Sequence, residues 1–320
     1  MRIHDAPATA AALPYARLVP ALEAMFARGC EVPPRHVHEV KLGSDSNFSF
    51  TSLIMPAWVP GRYYGVKTIN IAPGNAQRGL PGLHATYLLY DGATGVPLAL
   101  IDGDVITARR TAAASALAAR WLARADARRL LVVGAGRIAR ELPAAYRAVR
   151  AIDEVCVWAR SQESAQALAD TWSDQGFAAR AVTDLAGACA EADIVSCATL
   201  ATEPVVHGTW LRPGTHLDLI GSFTPAMREA DDACFAGAAL YVDTEEALRK
   251  SGELLGPMAR GVFAPGDVCA TLAMLARGEA VGRADADQRT VFKSVGTALE
   301  DLAAAILVHE GAPAPAEPRP

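Results

Sequence analysis

The six cysteines keep apart: Cys30, Cys156, Cys189, Cys197, Cys234 and Cys269 form no Cys-x-x-Cys pair, and none stands with histidine at zinc-ligand spacing. Neither a disulfide framework nor a metal site is expected, and the thiols read as reduced residues of the core. An uninterrupted apolar segment is also missing. Residues 1–30 are broken by Asp5, Arg17, Glu23 and three prolines, so neither a signal core nor a membrane span is expected, and a cytoplasmic location is. Basic clusters are lacking too: the arginines are scattered and the formal net charge is −5, which speaks against nucleic acid or any other polyanion as partner.

What remains is a chain of 320 residues, 51% hydrophobic and 20% charged, enough for two moderate cores and hence two domains. Its organising stretch is Arg128 to Ala139. Leu130–Val133 is an apolar run too short for a buried helix; it enters Gly134-Ala135-Gly136 and then a segment with Ile138, Leu142, Ala145, Tyr146 and Val149 at helical spacing. The pattern predicts strand, tight turn and helix. Gly134 permits the turn, Gly136 permits close approach of a pyrophosphate, and Ala139 permits close packing of helix on strand. The helix N-terminus would offer free N–H groups and partial positive charge to phosphates. A purely structural glycine turn is the alternative. Strand-like and helix-like segments keep alternating afterwards, through Glu154–Trp158, Glu163–Gln175, Ala178–Val182, Leu185–Ala190 and Asp193–Cys197, the rhythm of a parallel sheet with crossover helices.

The first hundred residues obey another rule. Pro14–Ala27 carries Leu18, Leu22, Met25 and Phe26 at helical spacing, but Phe48–Met55, Tyr63–Ile71, Thr86–Tyr90 and Pro97–Asp102 read as strands that follow one another without helices, the last two joined by the hairpin-type loop Asp91–Gly95. The alanine-rich segment Thr107–Ala123 reads as a linking helix. After Cys197, strands are expected at His216–Ile220 and Ala239–Asp243, a helix over Asp267–Arg277, and one long helix over Gln288–His309. Proline and alanine from Ala312 on suggest a loose tail.

Several separated motifs occur in one order: Gly65-Val66-Lys67; Pro73-Gly74-Asn75 and Gly79-Leu80-Pro81; Ile106 through Ala113, containing Arg109-Arg110-Thr111-Ala112; the glycine turn; Gly214-Thr215-His216-Leu217; and Phe292-Lys293-Ser294-Val295-Gly296 with Glu300-Asp301 beyond. Over residues 10–309 the chain resembles the ornithine cyclodeaminase/mu-crystallin family. The resemblance implies an α/β protein: a Rossmann-type doubly wound parallel sheet over 114–287, which binds NAD(P), plus a sheet-rich α+β substrate and dimerisation domain over 1–113 and 288–320, completed by the C-terminal helix. It implies a homodimer with the substrate site facing the nicotinamide. Because the family contains cyclodeaminases, dehydrogenases, ketimine reductases and a hormone-binding crystallin, it fixes fold more firmly than reaction.

Lys67 falls mid-strand among apolar neighbours, where its ammonium needs an anion or must reach solvent; the resemblance puts it in the substrate pocket. Arg110 begins the alanine helix, and a guanidinium fork suits a carboxylate. The resemblance makes Arg110 the grip on the substrate carboxylate, Arg35 a second carboxylate contact, and Glu253 a contact to a ring nitrogen. For the cofactor it implies the turn residues Gly134, Gly136, Arg137 and Ile138, together with Arg110, Thr111, His84, Thr199 and Ser294. At the end of the second strand of the alternating region, Arg160 and Ser161 stand where an NAD site usually has an acid, which points to NADPH, with NADH as the alternative.

The departure from the cyclodeaminases is Phe223. In Gly221-Ser222-Phe223-Thr224-Pro225 it occupies the place of an aspartate that handles a proton in those enzymes, and a phenyl ring cannot titrate. The run resembles that of bacterial Δ1-pyrroline-2-carboxylate/Δ1-piperideine-2-carboxylate reductases. The expected reaction is therefore NADPH-dependent reduction of a cyclic imino acid to L-proline or L-pipecolate, with Lys67 and Arg110 as catalytic residues and Phe223 against the ring. A cyclodeaminase, an amino-acid dehydrogenase and a non-catalytic dinucleotide-binding protein are the rival expectations.

Overall fold

The computed structural model describes residues 1–41 and 50–311. The start of the strand expected at Phe48 and Ser49, and the tail from Ala312, lie outside the described residues. In chain order the elements are β1 (Arg2–His4), α1 (Ala6–Ala12), α2 (Tyr15–Arg28), β2 (His36–Val40), β3 (Phe50–Val59), β4 (Tyr63–Ile71), β5 (Leu83–Asp91), β6 (Pro97–Asp102) and α3 (Gly103–Leu122). Then follow β7 (Arg129–Val133), α4 (Arg137–Arg147), β8 (Glu154–Trp158), α5 (Gln162–Asp174), β9 (Ala178–Ala181), α6 (Leu185–Glu191), β10 (Ile194–Cys197), β11 (His216–Leu219), α7 (Asp232–Phe235) and β12 (Ala239–Val242). The chain closes with α8 (Ala247–Lys250), α9 (Gly252–Ala259), β13 (Val268–Thr271), α10 (Leu272–Ala276), β14 (Thr290–Lys293) and α11 (Ala298–Gly311). Among the described residues no helix is long and apolar enough to cross a membrane.

The chain divides into two compact units, Met1–Arg110 with Thr297–Pro320, and Thr111–Gly296. The first holds a six-stranded sheet in the order β1-β6-β5-β4-β3-β2, antiparallel except for β1 on β6. The hairpin between β5 and β6 is set by Asp91, whose carboxylate accepts from the N–H groups of Ala93 and Thr94 and from the Thr94 hydroxyl, an Asx-type turn. Met55, Lys67, Tyr87 and Ile101 stand side by side across β3 to β6. All four are buried, because this face of the sheet is covered by α11, which also packs on α2. Leu18, Leu22, Met25 and Phe26 form the buried stripe of α2, as the spacing predicts.

The second unit holds an eight-stranded parallel sheet, β13-β12-β14-β11-β10-β7-β8-β9. The inner strands β7, β10, β11, β12 and β14 are short and, Arg129 apart, buried on both faces, so that β7 and β12 read as continuous apolar runs rather than alternating ones; β8, β9 and β13 keep exposed or half-buried positions. Two sequence expectations fail here. Residues 288–309 do not form one helix: Thr290–Lys293 is a buried strand inserted between β11 and β12, and the helix starts only at Ala298. Asp243 separates the two, since one of its carboxylate oxygens accepts from the N–H groups of both Val295 and Gly296 at 2.7 Å. Residues 288–296 consequently belong with the parallel sheet, not with the first unit. Likewise 267–277 is not one helix but a 3-10 turn ending at Asp267, then β13, then α10, whose first turn is capped by the Thr271 hydroxyl.

All six cysteines are free. Cys189, Cys197 and Cys234 are buried, and Cys30 and Cys156 half-buried. Cys269 is exposed, because it lies on β13 with its side chain away from the core, so the reading of these thiols as core residues does not extend to it.

Candidate active site

β7 is enclosed between β8 and β10 and ends in Gly134, whose φ of +120° is a conformation that side chains rarely adopt. A Cβ on Gly134 would also approach the Ala198 carbonyl oxygen to 2.6 Å. Gly136, the N-cap of α4, is exposed, and nothing lies within 4 Å of where its Cβ would be. The backbone there is open to a ligand, and the N-terminus of α4 favours an anion. Ala139 is fully buried, the close contact its size permits.

From β7 the sheet grows outward through β8 and β9 on one side and through β10 and β11 on the other. At such a switch point a crevice opens beyond the carboxyl ends of the strands. Here it measures about 830 Å³, with Gly134–Gly136 and Trp158–Ser161 on one wall and Ala198–Val205 on the other. Gly134, Gly136, Arg160, Ser161 and Thr199, all expected at the cofactor, line it. A glycine turn, a helix N-terminus and an exposed arginine fit the phosphates of a dinucleotide. The Ser161 hydroxyl is also the cap of α5, accepting from the Ser164 N–H at 3.1 Å. Arg137 and Ile138 form the first turn of α4. Thr111 is buried on α3 and Ser294 is buried just after β14, where its N–H bonds to the Leu219 carbonyl. His84 is exposed on β5, opposite Asn70.

The second unit also buries the carboxylates of Asp218, Glu229 and Glu253 and the ammonium of Lys293. Asp218 is fully buried; Ser115 donates to one of its oxygens at 3.1 Å, and Tyr146 (2.8 Å) and Ser196 (2.5 Å) to the other. Glu229 accepts from the Thr199 N–H and hydroxyl on one oxygen and from the Gly221 N–H on the other. Glu253 accepts from the N–H groups of Glu229 and Ala230 at 2.7 and 2.8 Å. Desolvation pushes the Asp218 carboxyl up to about 6 and the Glu253 carboxyl up to about 7. Lys293, fully buried and bonded to the Leu219 carbonyl at 2.9 Å, opposes both shifts with its charge. Each oxygen of Glu253 thus accepts from backbone inside the unit, and the side chain has no exposure. Phe223, two residues past Gly221, is 44% exposed, so the side chain presented at that turn is apolar and cannot titrate.

The first unit holds the other expected residues. Lys67 has no exposure at all; its ammonium meets Asp301 at 2.5 Å and the Thr107 hydroxyl at 3.4 Å. Of its two readings, the anion partner is the one realised. Arg110 donates from Nε to Asp301 at 2.9 Å and from a terminal nitrogen to Glu300 at 2.5 Å. Two cations and two anions are therefore packed against one another under α11. Burial draws Lys67 down to about 8, against the pull of Asp301. Desolvation pushes the Asp301 carboxyl up, but Lys67 and Arg110 outweigh it and hold it below the ordinary range. Arg35 is half-buried just before β2.

Sequence reasoning noted Glu300 and Asp301 only as part of a motif and missed them as partners of Lys67 and Arg110. The signal was present, since two adjacent acids interrupt the apolar run Ala298, Leu299, Leu302, Ala303, and charges on such a helix need counter-ions. The tie of Glu229 to Thr199 left no such trace. Among the described residues no group of His, Cys, Asp and Glu is placed to hold a metal.

A model of the ornithine cyclodeaminase/mu-crystallin family matches residues 10–315. The Δ1-pyrroline-2-carboxylate reductase of Paracoccus denitrificans is 44% identical over 277 residues, covering 86% of this chain and 87% of its own. Among solved structures, the Δ1-pyrroline-2-carboxylate reductase of Thermococcus litoralis in complex with NADH and L-proline is 34% identical, covers 97% of each chain and superposes with a TM-score of 0.91. An archaeal alanine dehydrogenase dimer with bound NAD is 29% identical, covers 97% of this chain and 95% of its own, and gives a TM-score of 0.87. With the doubly wound sheet, the glycine turn and the Arg-Thr-Ala helix all in place, the chain belongs to the ornithine cyclodeaminase/mu-crystallin family.

Proposed function

We propose that this protein is an NAD(P)H-dependent oxidoreductase acting on C=N bonds, which reduces the cyclic ketimines Δ1-pyrroline-2-carboxylate and Δ1-piperideine-2-carboxylate to L-proline and L-pipecolate and prefers NADPH to NADH. A nicotinamide dinucleotide supplies the hydride that the imine carbon receives. Everything else falls to side chains of the chain. Arg110, with Arg35 and Lys67, holds the substrate carboxylate, and Glu300 and Asp301 fix the orientation of the Arg110 fork and the Lys67 ammonium. The ring nitrogen reacts as the protonated iminium, so that hydride added at the adjacent carbon leaves a neutral secondary amine. The rate gain comes from positioning and electrostatic control rather than from a dedicated base.

The observation that carries this reading is the state of the acids near Phe223. Oxidative deamination needs a carboxylate that can take and return a proton. Phe223 cannot do so, and Asp218 and Glu229, its nearest replacements, each have both oxygens engaged by hydrogen bonds inside the second unit. A preformed imine requires no such group. For the cofactor, the exposed Arg160 at the end of β8 supports recognition of a 2′-phosphate. The likeness to a reductase whose structure holds NADH and L-proline supports the substrate class.

The reading includes a cytoplasmic homodimer. The face of the six-stranded sheet opposite Lys67 carries Trp58, Tyr64 and Tyr90, with ring centroids 6.3 and 5.4 Å apart. Tyr64 is 36% exposed. A second copy of the chain would cover this apolar face.

The test is NADPH oxidation against pyrroline-2-carboxylate, piperideine-2-carboxylate, pyruvate with ammonia, and ornithine. Turnover of the two cyclic imines is expected. Conversion of ornithine to proline with release of ammonia and no net consumption of NADPH would overturn the proposal.

A further inference from the structure

The wall of the crevice that faces the glycine turn, Ala198 to Val205, contains no helix or strand of its own. It hangs from residues 228–230. The Arg228 N–H bonds to the Ala201 carbonyl at 2.8 Å, and the Glu229 carbonyl accepts from both Val205 and Val206. The Glu229 carboxylate does the rest. One oxygen accepts from the Thr199 N–H (2.7 Å) and hydroxyl (2.8 Å), and the other from the Gly221 N–H (2.6 Å). A single side chain thereby bridges the segments that leave the ends of β10 and β11.

Gly221 shows how closely the two segments are drawn together: a Cβ on it would stand 1.9 Å from the Thr199 carbonyl oxygen. On its other side the Ala198–Thr199 segment abuts Gly134, where a Cβ would meet the Ala198 oxygen at 2.6 Å and the Thr199 methyl at 3.4 Å. The width of the crevice at the turn is therefore set by where Glu229 holds Thr199. Glu229 is itself held, since Glu253 receives its N–H and that of Ala230. Lys293 supplies the nearby positive charge that favours the ionised carboxylate against burial.

We propose that Glu229 is a positioning residue for dinucleotide binding: its carboxylate, supported by Glu253, fixes the Thr199–Val205 wall at the distance from Gly134 that the cofactor requires. The inference rests on reading this crevice as the cofactor site and is independent of which imine is reduced. A glutamine at 229 keeps the shape but puts an N–H₂ group opposite an N–H donor, so one of the two segments is released.

The test is direct titration of the full-length protein with NADPH and with NADH by fluorescence, without substrate. Glu229→Gln is expected to weaken both dinucleotides by about tenfold, the usual loss for a charged hydrogen bond. The KM for the imine at saturating cofactor should stay within about twofold, below the loss of even one such bond. Glu229→Asp, which keeps the charge but reaches only one segment, should fall between wild type and glutamine, and it replaces Glu229→Gln if that variant does not fold. A purely structural role would lower the melting temperature and leave the dinucleotide Kd where it was; that result in either variant overturns the inference. Wild-type protein that binds neither dinucleotide overturns the cofactor reading and this inference together, whereas normal binding without imine turnover overturns only the substrate assignment.

Discussion

Lys67 and Asp301 meet at 2.5 Å with neither side chain exposed to solvent. Breaking such a pair costs far more than the pair contributes net, because the surviving charge stays buried without compensation. The same contact sets the proton affinity of the lysine. Burial lowers it to about 8, and the aspartate is the largest influence in the opposite direction.

Asp301→Asn should therefore act twice. Stability to urea should fall by roughly 3–5 kcal/mol. If the Lys67 ammonium serves the reaction, the wild-type rate should decline above about pH 8, and in the variant the decline should begin at lower pH, since the charge that favoured the protonated form is gone. A basic limb in the same place in both proteins would remove Lys67 from the chemistry.

Arg110→Ala separates binding from architecture. Loss of the guanidinium should raise the KM for the imine by roughly ten- to a hundredfold, and stability should drop as well, because Glu300 and Asp301 lose their shared cation. A variant that is merely less stable, with KM and turnover intact, would make Arg110 a structural residue only.

Arg160→Ser bears on cofactor choice. Arg160 is exposed at the crevice, so the change should leave folding untouched. The ratio of kcat/KM for NADPH over NADH should fall by about tenfold, as for loss of one charged contact to phosphate. An unchanged ratio, or wild-type protein that already uses NADH as well as NADPH, would end the argument from this residue.

Glu253 gives the second unit a pH signature. Its carboxyl is raised from 4.5 to about 7. Below pH 4.5 both the folded and the unfolded chain carry the proton, but as the pH rises toward 7 the unfolded chain releases it and the folded chain does not. Stability must then decrease across that window, and Asp218, raised to about 6, adds to the decrease with the same sign. Glu253→Gln should flatten the pH dependence of unfolding free energy between about 4.5 and 7, read from denaturant curves in a series of buffers. An equally steep dependence in the variant would contradict the shift.

The second unit was legible in the sequence wherever its strands are bounded by turns. Leu130–Val133 ends in Gly134, and Glu154–Trp158 and Asp193–Cys197 are flanked by helices with their own apolar stripes. β14 escaped because four residues fused to a following helix present Val291, Val295, Ala298 and Leu302 at helical spacing; its place between β11 and β12 depends on partners distant in sequence, which no local period reports. The charged group divides in the same way. Lys67 and Arg110 stood out as cations in apolar or alanine-rich surroundings, but that they share Asp301 is a fact of topology. The two backbone N–H groups that meet Glu253 are of the same kind, since an isolated acid near a glycine gives no sign of them.

The first unit is assembled from the two ends of the described chain, with α11 closing over β3 to β6, whereas the second is one uninterrupted segment. During synthesis the ribosome therefore releases the whole parallel sheet before it releases the counter-ions of Lys67 and Arg110. Until the last helix emerges, the nascent sheet of the first unit lacks the Asp301 that meets Lys67 and the Glu300 and Asp301 that meet Arg110. A chain halted before residue 298 would carry a finished nucleotide-binding fold beside an unfinished one.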